Sequence, residues 1–220
     1  MAYAAPLGEI VFALDQLVGL DAVSSLERYR EATAETRRAV LGEAAKLGES
    51  IMAPLNVTGD RHPARLEDGA VILPPGFREG YGAIRDGGWV GVAADPAHGG
   101  MGLPQTLAVV VNEMMSGACL ALANTALLSA GQIDLLEAHG DAEQKALYLP
   151  RLISGEWCGT MNLTEPQAGS DLAAIRCRAE PAGDGSYRLD GQKIYITFGE
   201  HDAAANIVHA VLARLPDALP

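Results

Sequence analysis

The feature that most restricts what this chain can fold into is a change of texture near Gly155. Upstream, apolar residues recur at helical intervals. Downstream, they alternate or cluster in short runs bounded by Gly, Asp and Pro. Ser24-Ser25 precedes a charged, Ala-rich stretch that predicts one helix from Leu26 to Ala53, stopped by Pro54. Leu26, Tyr29, Ala39, Val40, Leu47 and Ile51 recur along it. A second helix is expected after Pro74-Pro75, with Phe77, Tyr81 and Ile84 on one side and Gly87-Gly88 at its end. A Gly- and Pro-rich surface loop then leads to Pro104, which opens an apolar helical region lasting to His139. Gly140 fits a C′ position, and Asp141-x-x-Gln144 reads as the capping box of a further helix bearing Leu147, Leu149, Leu152 and Ile153. Past Gly155, Trp157 to Leu163 is apolar and Ile175 to Ala179 alternates. Tyr187-Arg188-Leu189 and Lys193 to Thr197 flank Asp190-Gly191, a two-residue hairpin signal, and Ile207 to Ala213 reads as a buried strand. An antiparallel β module is therefore expected to follow a helical one.

Composition narrows the functional classes. The 220 residues suffice for one large or two modest cores, and a hydrophobic share of 49% excludes a disordered chain. A net charge of -12 argues against nucleic acid or an anionic membrane as partner. Cys119, Cys158 and Cys177 are too scattered for a disulfide framework or a metal site and read as reduced, mostly buried thiols. The five histidines show no ligand spacing, so no metal is expected. Glu9 and Asp15 precede the first basic residue, Arg28, so no secretory leader is read and a cytoplasmic location is expected. The uncharged run Met114 to Ile133 has the length of a membrane span. Its Ala-rich composition, with Ser116, Asn124, Thr125 and Gln132, fits a buried helix better.

The run Met161-Asn162-Leu163-Thr164-Glu165-Pro166-Gln167-Ala168-Gly169-Ser170-Asp171 carries the densest chemistry. Pro166 fixes its own φ and biases Glu165 toward extended geometry, so Thr164-Glu165 leaves the preceding strand directed. Gly169 permits close backbone approach and Ser170 adds a hydroxyl, a combination able to present donors to an anion such as a pyrophosphate. A plain Pro-Gly surface turn would look similar.

This run resembles the flavin-contacting signature of the acyl-CoA dehydrogenase family, an aromatic residue followed shortly by Thr-Glu-Pro-x-Ala-Gly-Ser-Asp. Asp190-Gly191-Gln192-Lys193-Ile194-Tyr195-Ile196-Thr197 is similar to the same family's second flavin strand. Gly88-Trp89-Val90-Gly91 and His98-Gly99-Gly100-Met101-Gly102-Leu103-Pro104 are similar to its upstream segment. The resemblance implies an α+β fold: an N-terminal α-helical bundle over 1–155, then an antiparallel β-barrel-like domain over 156–220. That second domain would be incomplete, and a C-terminal helical domain absent. It implies FAD as cofactor, an acyl-CoA thioester as substrate, electron-transferring flavoprotein as acceptor, and a homodimer or homotetramer. Met161, Leu163 and Thr164 would then touch the flavin ring system. Gly169 and Ser170 would lie by the pyrophosphate, with Ser170 also at the acyl-CoA edge.

Alternation along a strand places Tyr195 and Thr197 on one face with Lys193, and Ile194 and Ile196 on the other. By resemblance the flavin lies against Tyr195, Ile196 and Thr197, while the isoleucine side chains enter the core. Glu165 reads as structural, and Asp171 as a local cap as readily as a ligand contact. The implied reaction is α,β-dehydrogenation, a carboxylate taking the α-proton as the β-hydrogen leaves as hydride. The family's glutamate base lies in the C-terminal domain, so no catalytic residue is assigned here. A base is expected beyond Pro220, and the 220 residues alone are expected to be inactive. Met161 in place of an aromatic, Tyr195 in place of Trp or Phe, and Phe198-Gly199-Glu200-His201-Asp202 depart from the common pattern. The first two alter the packing around the flavin, and the last, with Asn206-Ile207-Val208-His209 after it, resembles the longer branch that includes methylmercaptopropionyl-CoA dehydrogenases. An acyl-CoA oxidase, a flavin monooxygenase of the same fold, or a non-catalytic flavin-binding relative are the alternatives.

Overall fold

The computed structural model describes residues 3–218. Helix α1 (Leu7–Phe12) runs into a π-helical turn, Ala13–Val18, and then α2 (Leu20–Ser24). Helix α3 (Ala34–Lys46) starts well after the expected Leu26, because Thr33 caps it: its hydroxyl accepts from the Thr36 amide at 3.1 Å. Its buried face is Arg37, Leu41, Ala44 and Ala45, whereas Leu26 and Ile51 are exposed. Arg37 sits inside because Asp21 and the Ser24 hydroxyl receive its guanidinium.

Pro54 does not stop this rod. A π turn, Leu47–Met52, precedes it, and α4 (Ala53–Arg61) continues with the proline in its first turn. A wider turn there relieves the clash that a proline ring makes with the carbonyl of the turn before it. Next comes a hairpin, β1 (Arg65–Glu67) and β2 (Ala70–Ile72), around Asp68-Gly69 with φ of 50° and 84°. Helix α5 (Phe77–Asp86) buries Phe77, Tyr81 and Ile84 and ends at Gly87, as read. The Gly-rich segment after it is not a surface loop. Met101, Gly102 and Leu103 donate backbone hydrogen bonds to Gly91, Ala94 and Val92, and Val90, Val92, Ala94 and Leu103 are buried. Gly100 must be glycine here, since a Cβ would lie 2.0 Å from the Ala94 carbonyl oxygen.

Helix α6 (Gln105–His139) is the spine, 35 residues long with a break at Cys119. Its length and composition would suit a membrane span, yet half of its most apolar window is buried against the rest of the chain. That fits the expected core helix. Tyr3 wedges at the break: a Cβ on Gly117 would meet its ring at 3.0 Å, and one on Gly48 at 3.3 Å. Gly140 closes α6 in an extended rather than left-handed conformation. Helix α7 (Ala142–Ile153) has the predicted capping box, Gln144 N donating to Asp141 Oδ1 at 2.8 Å and Asp141 N to Gln144 Oε1 at 3.1 Å. All three cysteines are free and buried.

The β region corrects the expected fold class. Strands β3 (Trp157–Asn162), β4 (Arg178–Pro181), β5 (Tyr187–Asp190) and β6 (Asn206–Val211) form no barrel among the described residues. They make two separate pairs, β3 with β6 and β4 with β5. The β3–β6 pair is parallel, with Trp157 opposite Asn206 and Asn162 opposite Val211, so the module is not purely antiparallel. Asp190-Gly191 is not the hairpin turn. Strand β5 pairs backward with β4 across a loop containing Gly183, Asp184 and Gly185, where Asp184 accepts from the Ser186 amide and hydroxyl. Gly191 serves a close approach instead, since a Cβ there would sit 2.8 Å from Cys177 Cα. Consequently Lys193 to Thr197 is irregular rather than a strand.

Candidate flavin-edge site

Two strips lie side by side where β3 ends. Strip one is Met161 to Thr164 and its turn; strip two is Lys193 to Thr197. Ile194 N donates to Thr164 O at 3.0 Å, and Lys193 Nζ donates to Leu163 O at 2.9 Å. Beyond Thr164 the chain folds sharply: Glu165 and Ala168 exchange backbone hydrogen bonds of 2.8 and 3.0 Å around Pro166-Gln167. Pro166 suits this turn because its φ is preset. Asp171 then caps the Ala173 amide at 3.0 Å, the local role it could equally have had.

Exposure still alternates along strip two, although the strand is missing. Tyr195 is 89% exposed, Thr197 is exposed, and Ile194 and Ile196 are half-buried. Lys193 parts company with the face expected of it, its side chain being only 8% exposed. Tyr195 has φ 58° and Phe198 φ 52°, a left-handed backbone that bulky residues avoid at a cost of about 1–3 kcal/mol each. Such strain persists only where neighbouring contacts over-determine the chain. Downstream, Asp202 accepts from Leu73 N at 3.2 Å and lies 3.4 Å from Arg78, anchoring the segment to the helices. His201 is buried, which pushes its imidazole pKa down, and packs edge-on against Phe198.

Glu165 is the electrostatic centre of the site, in the structural role read for it. It is 4% exposed and accepts from Gln167 Nε2 (2.6 Å), Arg176 N (2.7 Å), Lys193 Nζ (2.8 Å) and Cys177 N (3.0 Å). Burial alone would raise its pKa, but the Lys193 ammonium and the amide donors outweigh that and hold it at about 2. Its lone pairs are spent on these donors, so it is unsuited to abstracting a proton. Because the folded pKa lies below the ordinary 4.5, its stabilisation is complete above that value and lost as pH falls toward about 2. The urea midpoint should therefore drop more steeply between pH 4.5 and 2 in the parent than in Glu165→Gln. Parallel profiles would remove Glu165 from the acid transition.

The donor set suits a flat heterocycle with a polar edge. The hydroxyls of Thr164, Tyr195 and Thr197 have no hydrogen-bond partner among the described residues. The Tyr195 side chain lies open to solvent. Gly169 is not demanded by internal packing, since a Cβ there would meet only Thr164 Cγ2, at 4.0 Å; it leaves the backbone next to Ser170 open, and both are exposed. Met161 and Leu163 are half-buried at the strand end. A cleft of about 660 Å³ adjoins strip two, with Asn56, Leu73, Phe77 and Asn124 facing Ile196 and Thr197. FAD therefore fits the residues present.

Residues 61–156 match the acyl-CoA dehydrogenase N-terminal domain. The chain is 46% identical over 218 residues to 3-methylmercaptopropionyl-CoA dehydrogenase of Ruegeria pomeroyi, covering 99% of this chain and 37% of that protein. The chain belongs to the acyl-CoA dehydrogenase family. A butyryl-CoA dehydrogenase of Syntrophomonas wolfei is 32% identical over 223 residues, covering 99% of this family member and 36% of that one. The solved glutaryl-CoA dehydrogenase of Mycobacterium smegmatis superposes with a TM-score of 0.66 at 25% identity, covering 92% of this chain and 46% of that chain. This acyl-CoA dehydrogenase-family chain thus spans just over a third of the length of the curated relatives it matches.

Proposed function

We propose that the chain is the N-terminal part of a FAD-dependent acyl-CoA dehydrogenase that oxidises an acyl-CoA thioester across its α and β carbons. The observation that carries this reading is the pairing of strips one and two, in which the Ile194 N to Thr164 O bond joins the stretch bearing the free Thr164 hydroxyl to the one bearing the exposed Tyr195 and Thr197. Bound FAD would supply the hydride acceptor for the β-hydrogen. Thr164 and the backbone at Met161 and Leu163 would hydrogen-bond the ring edge, and the Tyr195 ring with Ile196 and Thr197 would cover one face and exclude water. Gly169 and Ser170 would receive the pyrophosphate, with Ser170 also meeting the substrate. With a net charge of -12 the chain does not attract an anionic coenzyme from a distance, so short-range donors must hold it. The cleft beside Thr197 offers a largely apolar wall for the acyl end. Similarity to the Ruegeria enzyme favours a short sulfur-bearing acyl group, and electron-transferring flavoprotein is the acceptor that the family resemblance implies.

Anaerobic titration of the full-length, FAD-loaded enzyme of which this chain would be the N-terminal part tests this: the flavin should bleach with a short acyl-CoA and not with free coenzyme A. Thr164→Val should weaken FAD retention or slow bleaching through loss of one hydrogen bond, about 0.5–1.5 kcal/mol net. Unchanged FAD affinity and bleaching rate in that variant would take Thr164 out of the site. No bleaching with any acyl-CoA would overturn the reaction.

A further inference from the structure

We infer that the buried Lys193–Glu165 pair is a positioning clamp for the flavin edge, with Lys193 setting strip two against strip one. The inference rests on the function proposed above. It draws on three features of the chain.

First, the two charges occupy adjoining places. Glu165 immediately follows Thr164, and Lys193 stands two residues before Tyr195, so the pair links the two stretches proposed to touch the cofactor. Second, Lys193 reaches both the side chain and the backbone of strip one, donating to Glu165 Oε1 at 2.8 Å and Leu163 O at 2.9 Å. The two side chains are 8% and 3% exposed, so water does not compete for these bonds. A buried pair of this kind contributes little net stability against an apolar substitute, but breaking it is costly. What it supplies is a fixed register. Third, the strained backbone at Tyr195 needs anchors on both sides. Asp202 and the Phe198–His201 contact hold the downstream side, and Lys193 with the Ile194 amide holds the upstream side. Release of the upstream anchor lets Tyr195 relax out of the left-handed region and carries its ring and Thr197 away from Thr164.

Lys193 therefore acts through the backbone of strips one and two and is a positioning residue. The test compares the full-length parent protein with its Lys193→Met, Lys193→Arg, Glu165→Gln and Lys193→Met/Glu165→Gln variants. Amide hydrogen exchange at Ile194 reports strip pairing without any flavin, and exchange along α6 reports the rest of the fold. FAD affinity is measured from pH 5 to 9. In Lys193→Met, Ile194 should lose protection while α6 keeps its own, and FAD should bind on the order of tenfold more weakly. That deficit should shrink toward pH 5, because Glu165 without its ammonium partner takes up a proton. The double variant should lose this pH dependence, and Lys193→Arg should recover most of the affinity. If Lys193→Met does not fold, Glu165→Gln carries the test through Ile194 exchange.

Unchanged Ile194 protection in either variant overturns the clamp. So does a uniform loss of protection through α6, or an FAD deficit that is the same at every pH. If the parent protein binds no FAD, the proposed function fails. Ile194 exchange then decides the clamp by itself.

Discussion

Glu165→Ala should lower stability by about 3–5 kcal/mol, measured as a shift in the urea midpoint at neutral pH. The substitution leaves the Lys193 ammonium buried without its counter-ion and frees the Arg176 and Cys177 amides of their acceptor. Each orphaned amide in a dry site adds to the loss. Surface ion pairs provide the contrast. Glu43 bonds Lys46 at 2.7 Å, a distance shorter than in the Glu165 pair, yet these side chains are 62% and 72% exposed. Glu43→Ala should therefore cost under about 1 kcal/mol. Equal losses in the two variants would mean that burial does not set the worth of these pairs.

Leu122→Ala should cost about 2–5 kcal/mol, and adding Gly80→Ala should return part of it. Leu122 is fully buried on α6, and α5 approaches it at Gly80. A Cβ on Gly80 would lie 2.7 Å from Leu122 Cδ2 and 2.6 Å from Leu55 Cδ1, so Gly80→Ala alone overpacks the contact. With Leu122 shortened, one of the two clashes disappears and the new methyl fills part of the cavity. The double variant should then be more stable than the sum of the single losses implies, by about 0.5 kcal/mol or more. Simple additivity would mean that the α5–α6 contact relaxes independently at the two positions.

What was legible in the sequence was local. The Asp141–Gln144 box and the Phe77, Tyr81, Ile84 stripe depend on neighbours within a turn or two, and both formed as read. Pro54 misled because its exclusion from helices assumes regular α geometry, and the preceding π turn removes that premise. Asp68-Gly69 is the same kind of turn dipeptide as Asp190-Gly191. The former makes a hairpin and the latter does not, because Gly183-Asp184-Gly185 offers β5 a nearer partner. Register and closure depend on such competition between distant segments. The barrel failed for that reason, as did a regular strand at Lys193 to Thr197. At the candidate site, the exposure of Tyr195 and Thr197 was readable from alternation, but Ile194 and Ile196 do not enter the core: both are half-buried, and Ile196 lines the cleft. The grip of Lys193 on Leu163 and Glu165 was not readable, since the partners lie 30 and 28 residues away. The single charge on each of two otherwise uncharged stretches, Glu165 after strip one and Lys193 at the head of strip two, was the available signal.

The parallel pairing of β3 with β6 also has a consequence in time. During synthesis β3 leaves the ribosome complete at Asn162, but its partner is not finished until Val211. At translation speeds of about 5–20 residues per second, β3 waits several seconds with that edge unpaired. Gly159 N already donates to Ser129 Oγ at 2.9 Å, so α6 can hold the strand from one side meanwhile. A nascent chain arrested between these two points would therefore present an open strand edge, a natural landing place for a chaperone or for another nascent copy.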